Sequence, residues 1–402
     1  MLSLSRKTLI VLLCGGIILT LSVGLRSTFG LFLKPMSDSL GWGRETFAFA
    51  IALQNIVWGL VQPLTGALAD RYGSGRVVLG GAIAYAAGLY LMSVTAGPVA
   101  LVLSAGVLMG FALSATSFAV VLGAVGRAAP EAHRSTALGV ASSLGSLGQF
   151  VMLPIGQTLI SSSGWAFALV AMGLISLVMV PLSAGVVGRQ GQGLNAATMS
   201  MRGALHDALR HRGYILLFLG FFVCGFQVMF MATHLPAYIA DNRLPAGMGA
   251  TALATVGLFN IVGSYVWPVI AGRTSKSMTL AVLYLARAVV IGLFLMVPLS
   301  TASLLVFAAA IGFMWLATVP VTTALVGQIF GVRYVSTLFG IVFLGHQIGS
   351  FLGVWLGGYL FDLTGSYNLV WYLTIALGVV AALLHWPINE KRVDWALAEE
   401  AV

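Results

Sequence analysis

From residue 8 to residue 388 the chain is apolar sequence cut by short polar turns into stretches of twenty residues or more. A helix rises about 1.5 Å per residue and a bilayer's hydrocarbon core is about 30 Å thick, so about 20 apolar residues cross it once. Twelve such stretches stand out: 8–33, 45–68, 76–96, 99–125, 136–160, 165–187, 214–240, 250–271, 278–298, 302–328, 337–360 and 367–388. Barrel strands would alternate polar and apolar residues, and these runs do not, so each reads as a membrane helix. Composition agrees: 59% of residues are hydrophobic and 8% are charged, against about 25% charged in a soluble domain. The run at 8–33 exceeds the apolar core of a cleaved leader, and no small-residue cleavage site follows, so it is expected to stay as a span. Cys14 and Cys224 both fall in apolar runs, which implies no disulfide framework.

The net charge of +9 acquires a meaning once it is placed. Fifteen of the 20 Lys and Arg fall in segments on one side: Arg6, Lys7, Arg71, Arg76, Arg127, Arg134, Arg189, Arg202, Arg210, Arg212, Arg273, Lys276, Arg333, Lys391 and Arg392. Lys34, Arg44 and Arg243 fall on the other. The positive-inside rule puts the first set, with both termini, in the cytoplasm. The positive charge therefore orients the chain in a cytoplasmic membrane and makes no nucleic-acid surface. Arg26 and Arg287 remain, both at membrane depth.

The longest polar loop, 188–213, is basic and divides the spans six and six, giving bundles at 1–187 and 214–402. The halves echo each other. NIVWGLVQP (55–63) pairs with NIVGSYVWP (260–268), STALGV (135–140) with STLFGI (336–341), and GSLG (145–148) with GSFLG (349–353). Three echoes at nearly one offset indicate a duplicated six-helix unit, the plan of transporters that rock two bundles about a central site.

The loop after span 2, GALADRYGSGR (66–76), resembles the signature of the major facilitator superfamily, with Gly66, Asp70, Arg71, Gly73 and Arg76 at the matching positions. The resemblance implies an all-α membrane fold of twelve helices in two pseudo-repeated bundles, and a conformational latch in which Asp70 pairs with basic groups on neighbouring helix ends. FGLFLKPMSDSLGWGRETFAFA (29–50) and GGYLFDLTGSY (357–367) resemble the monocarboxylate porter and oxalate–formate antiporter branch, with Gly41, Trp42 and Arg44 matching its Gly-Trp-x-Arg opening of span 2. Where animal monocarboxylate carriers place an Asp and an Arg four apart in span 8, this chain has Asn260 and Ser264.

An uncompensated arginine near the bilayer centre costs about 2.5–3.5 kcal/mol on insertion scales. No acidic residue falls deep in a span, so carbonyls, amides, cavity water or a bound anion must offset Arg26 and Arg287. Ser22, Arg26 and Gly30 form one helical stripe. In the superfamily, span 1 lines the cavity. A guanidinium fork suits a carboxylate, so Arg26 is the candidate anion anchor. Arg287 is a candidate either for substrate or for bracing neighbouring helices through carbonyls. Gln54, Asn55, Gln149, Gln227, Asn260, His346 and Gln347 are the other candidate binding residues, since amides and imidazoles are costly to bury. His346, and less strongly His234, are candidate proton carriers.

These features describe a transporter that takes up a small organic anion, a carboxylate, with protons, by alternating access. It needs no cofactor or metal, works as a monomer, and has the bilayer and its substrate as partners. Alternatives are an exporter of an anionic or amphiphilic compound and a non-transporting sensor or membrane enzyme. No metal-ligand cluster, P-loop or nucleophile–base motif is visible in the sequence.

Overall fold

A computed structural model describes residues 5–130, 134–186, 201–245, 247–330 and 335–393, the side chains of 70, 134–136, 201–204, 207 and 335–337 excepted. All secondary structure among them is helical. The first crossing is α1 (Arg6–Ser27) and α2 (Phe29–Leu40), broken at Thr28. The second and third are α3 (Arg44–Tyr72) and α4 (Ser74–Ser93). The fourth is pieced together from α5 (Pro98–Leu101), a π-helix (Val102–Leu108), α6 (Met109–Ala115) and α7 (Phe118–Ala128). The next helix, α8 (Arg134–Ser176), would be about 65 Å long if straight. It cannot be one crossing. At Gly164 the backbone takes φ 80° and ψ 168°, a conformation that only glycine adopts readily. The chain reverses there into a sixth crossing that ends in α9 (Met179–Ser183). Among the described residues eleven stretches are long and apolar enough to span. One of them, Ala137–Val186, contains this reversal, which gives the twelve crossings read from sequence.

The segment expected as a basic loop (188–213) holds a ten-residue helix, α10 (Met201–Arg210). The second half then runs α11 (Arg212–Asp241), α12 (Met248–Arg273), α13 (Lys276–Met296), a tenth crossing of α14 (Thr301–Phe313) and α15 (Thr318–Phe330), then α16 (Val335–Thr364) and α17 (Asn368–His385).

The sequence echoes mark equivalent packing. Each half is built on one long helix pair, α1 with α8 and α11 with α16. Gly148, from the GSLG echo, lies against the backbone carbonyl of Thr20. Gly349, from GSFLG, lies against that of Phe222. In both pairs the missing Cβ lets two backbones approach, as small residues do between membrane helices.

Between the halves, α3 packs on α16, α8 on α12 and α2 on α11. The contacts run from the Arg44 end, where Trp355 Nε1 donates to Glu45 Oε1 at 3.0 Å, to mid-molecule, where Gln347 Nε2 donates to Asn55 O at 3.0 Å. Farther along α3 and α16, Gly66 and Gly340 have no neighbour within 4 Å of where a Cβ would stand. The two halves are thus joined at their Arg44 end and at mid-molecule.

Candidate functional site

Arg26 sits at the junction of the two halves. It is two residues before the break at Thr28, on α1, and only part-buried. One terminal nitrogen, Nη2, donates to Asn55 Oδ1 at 2.7 Å on α3 and to Met229 Sδ at 3.2 Å on α11. The guanidinium lies over Trp58, 4.7 Å from the ring centre, a favourable cation–π arrangement. Its Nε is buried and has no hydrogen-bond partner. Among the described residues no carboxylate pairs with it. Asn55 is aimed at Arg26 by its own amide nitrogen, which donates to Ile51 O one turn back at 2.8 Å. The partners of Arg26 thus come from both halves, Asn55 and Trp58 from the first and Met229 from the second.

An aromatic column continues from Arg26 into the second half. Trp58 meets Phe343 edge-to-face at 6.0 Å. Phe343 stacks on His346 at 5.4 Å, nearly parallel at 7°. His346 is 7% exposed. Its Nδ1 faces Gln347 Oε1 at 3.2 Å and Ser350 Oγ at 3.4 Å, while its Nε2 has no partner. Arg26, Asn55, Gln347 and His346 are thus brought together.

The other candidates lie elsewhere, and most serve irregular backbone. Gln54 Nε2 donates to Ala105 O (2.7 Å), inside the π-helix of span 4. Asn260 Oδ1 accepts from Leu316 N (3.0 Å), and Arg287 donates to the carbonyls of Met314 and Trp315. These three carbonyl and amide groups belong to the break between α14 and α15, where helical partners are missing. Arg287 is 1% exposed and does not reach the Arg26 cluster. Its remaining neighbours are Cys224 Sγ at 3.6 Å and the Tyr284 ring at 5.5 Å. Gln227 donates to Thr374 O (3.1 Å) within the second half. Gln149 packs against Gly257 across the halves.

His234 is fully buried near the Arg44 end. Its Nε2 faces Val354 O at 2.8 Å, and a carbonyl only accepts, so Nε2 carries the proton. Its Nδ1 faces Tyr367 Oη at 3.2 Å. Tyr367 Oη also accepts from Arg44 Nη1 at 2.9 Å. Arg44 forks onto Asp241 at 2.6 and 2.8 Å and lies 3.8 Å over the Phe361 ring. The Asp362 carboxylate accepts from the backbone N–H of Arg44 and of Glu45, where a helix N-terminus favours negative charge. This cluster ties α3 to α11 and α16. Sequence reading placed Arg44 on one side of the membrane but did not join it to Asp241 or Asp362. Asp241 follows the stretch 214–240 and Asp362 the stretch 337–360, at the same end as Arg44, and that was the available signal.

At the opposite end, Gly73 closes α3 with φ 94°, so the motif glycine is required by the backbone there. Arg71 and Arg76 are exposed. The Asp70 side chain, the carboxylate of the expected latch, lies outside the described residues.

A helical fold of membrane-crossing stretches in two pseudo-equivalent halves is the plan of a membrane transporter. The Major Facilitator Superfamily model matches residues 12–320, and the chain belongs to that family. It is 25% identical over 372 residues to monocarboxylate transporter 13 of Rattus norvegicus, covering 90% of this chain and 86% of that one. It is 23% identical over 369 residues to the oxalate:formate antiporter of Oxalobacter formigenes, with the same coverage of 90% and 86%. Its fold matches, with a TM-score of 0.74 at 14% identity over 95% of this chain and 96% of the other, the crystal structure of a bacterial homologue of the human lysosomal transporter Spinster in an inward-facing, unoccupied conformation.

Proposed function

We propose that this protein is a secondary active transporter that carries a small carboxylate across the cytoplasmic membrane together with protons, by alternating access between the bundles 1–187 and 214–402. The observation that carries this reading is Arg26: a part-exposed guanidinium between the halves, with an unpartnered Nε and no carboxylate beside it among the described residues. A charge at that depth persists only when something offsets it. Asn55, Met229 and Trp58 supply part of the compensation, and a substrate carboxylate supplies the rest. The weak sulfur acceptor of Met229 holds a place that a carboxylate oxygen fills better. The relatives named for monocarboxylates and for oxalate and formate support an anionic substrate.

His346 is the proton carrier in this scheme. It has a free ring nitrogen, and it joins Arg26 through Phe343 and Trp58. Arg287 and Asn260 hold the broken tenth span and do not touch substrate. The Arg44 end faces outward, both termini face the cytoplasm, and Asp70 with Arg71 and Arg76 latches the cytoplasmic end when it closes.

The test is uptake of radiolabelled monocarboxylates into proteoliposomes under an imposed pH gradient. Wild-type protein accumulates the acid against its gradient. Arg26→Ala takes up none. His346→Gln exchanges acid across the membrane but no longer accumulates it. Accumulation by Arg26→Ala at the wild-type rate would remove the anchor, and pH-driven accumulation by His346→Gln would clear that histidine.

A further inference from the structure

The surroundings of Arg26 also restrict the body of the molecule it binds; this step rests on Arg26 being the anchor. Four polar side chains nearby are already engaged. Asn55 Nδ2 donates to Ile51 O, Gln347 Nε2 to Asn55 O and Trp58 Nε1 to Gln62 Oε1, each within 3.0 Å. One turn below Arg26, Ser22 Oγ is bonded to Thr116 Oγ1 at 2.8 Å. A ligand rich in hydroxyls would compete with these bonds, and each one broken would leave a buried group unpaired. The positive charge is also single. Arg287, the other arginine at membrane depth, is turned onto the Met314 and Trp315 carbonyls. A dianion therefore finds one cation where it needs two.

Beside the guanidinium stand the aromatic Trp58 and the soft Met229, one from each half, and Phe343 of the second half continues from Trp58. Trp58 and Phe343 are both part-exposed and meet edge-to-face across the junction of the halves. Aromatic faces and thioethers favour flat, polarisable partners.

We propose that the ligand of Arg26 is an aromatic monocarboxylate, its carboxylate on the guanidinium and its ring against Trp58 and Phe343. The site favours phenylacetate-like acids over acetate and lactate, and over oxalate.

The experiment is equilibrium binding to the purified full-length chain with phenylacetate, acetate, lactate, oxalate and the uncharged benzyl alcohol. Phenylacetate should bind at least about tenfold tighter than acetate, the return expected for burying a phenyl ring. Lactate should gain nothing over acetate, and benzyl alcohol should not bind. In Phe343→Leu the ratio of phenylacetate to acetate affinity should fall, with the variant's monodispersity confirming that it folds. If acetate and phenylacetate bind alike and Arg26→Ala abolishes both, the anchor stands and the aromatic assignment is wrong. If benzyl alcohol binds as well as phenylacetate and Arg26→Ala keeps that affinity, the anchor itself fails. Tightest binding by oxalate, or no saturable phenylacetate binding at millimolar concentration, would also overturn the proposal.

Discussion

At the scale of single residues, two arginines at similar depth have opposite situations. Arg26 keeps an unpartnered nitrogen and a part-exposed edge. Arg287 is sealed in, and its donors end on the carbonyls at the break between α14 and α15. Removing Arg287 would orphan two buried acceptors at about 1–3 kcal/mol each. Arg287→Leu is therefore predicted to lose about 2–6 kcal/mol of stability, read as a lower melting temperature. The variant that still folds should show the same ligand-induced melting shift as wild type. A lost ligand shift with an unchanged melting temperature would mean that Arg287 touches substrate. In the sequence these two residues looked alike. What separates them is the backbone break that Arg287 serves, and GFMWLATVP (312–320) carries no glycine or proline at the break itself to announce it. The same hidden irregularity explains Gln54, which bonds the π-helix, and Asn260, which bonds Leu316. Polar residues in apolar spans signalled that something needed compensation. They did not say whether the creditor was a ligand or a helix.

At the scale of helices, much more was legible. Span number followed from apolar length, and the turn at Gly164 falls in the gap between the stretches 136–160 and 165–187. The glycine echoes at 145–148 and 349–353 gave the equivalent close contacts of α8 on α1 and α16 on α11. A Cβ at Gly349 would meet the Phe222 backbone carbonyl, whereas one at Gly340 would meet nothing within 4 Å. Gly349→Ala is predicted to cost about 1–3 kcal/mol through overpacking, and Gly340→Ala to be neutral or slightly stabilising by helix propensity. Thermal denaturation of the two variants side by side decides this; equal melting temperatures would refute the packing account. The breaks within spans 1, 4 and 10 were not legible. They depend on side chains from other helices, such as Arg287 and Asn260, that accept the cost of unpaired backbone.

At the scale of the whole molecule, the state of the protein is set at its Arg44 end. Asp241 is held by Arg44 through two hydrogen bonds and by Lys34 at 3.4 Å. Asp241 belongs to the second half, and its partners belong to the first. A part-buried pair of this kind contributes about 1–3 kcal/mol to the junction at this end, enough to shift a two-state equilibrium about 5- to 150-fold. Asp241→Asn should therefore populate a form open at the Arg44 end. Distances between spin labels placed on the two halves at that end should lengthen, and an unchanged distribution would show that aromatic packing alone holds the closure. Sequence charge counting put Lys34 and Arg44 on one face, but their pairing with Asp241 depends on how two separately legible bundles meet, and no periodicity within one helix reports that.

The central claim is that Arg26 is balanced by a substrate carboxylate. The most direct measurement is the melting temperature of wild-type, Arg26→Lys and Arg26→Ala protein with a saturating monocarboxylate and with its uncharged amide. A ligand that binds the folded state raises the melting temperature by linkage. The account predicts a rise for wild type with the acid alone, a smaller rise for Arg26→Lys, whose ammonium lacks the planar fork, and none for Arg26→Ala. An equal rise with the amide, or an undiminished rise in Arg26→Ala, would contradict it.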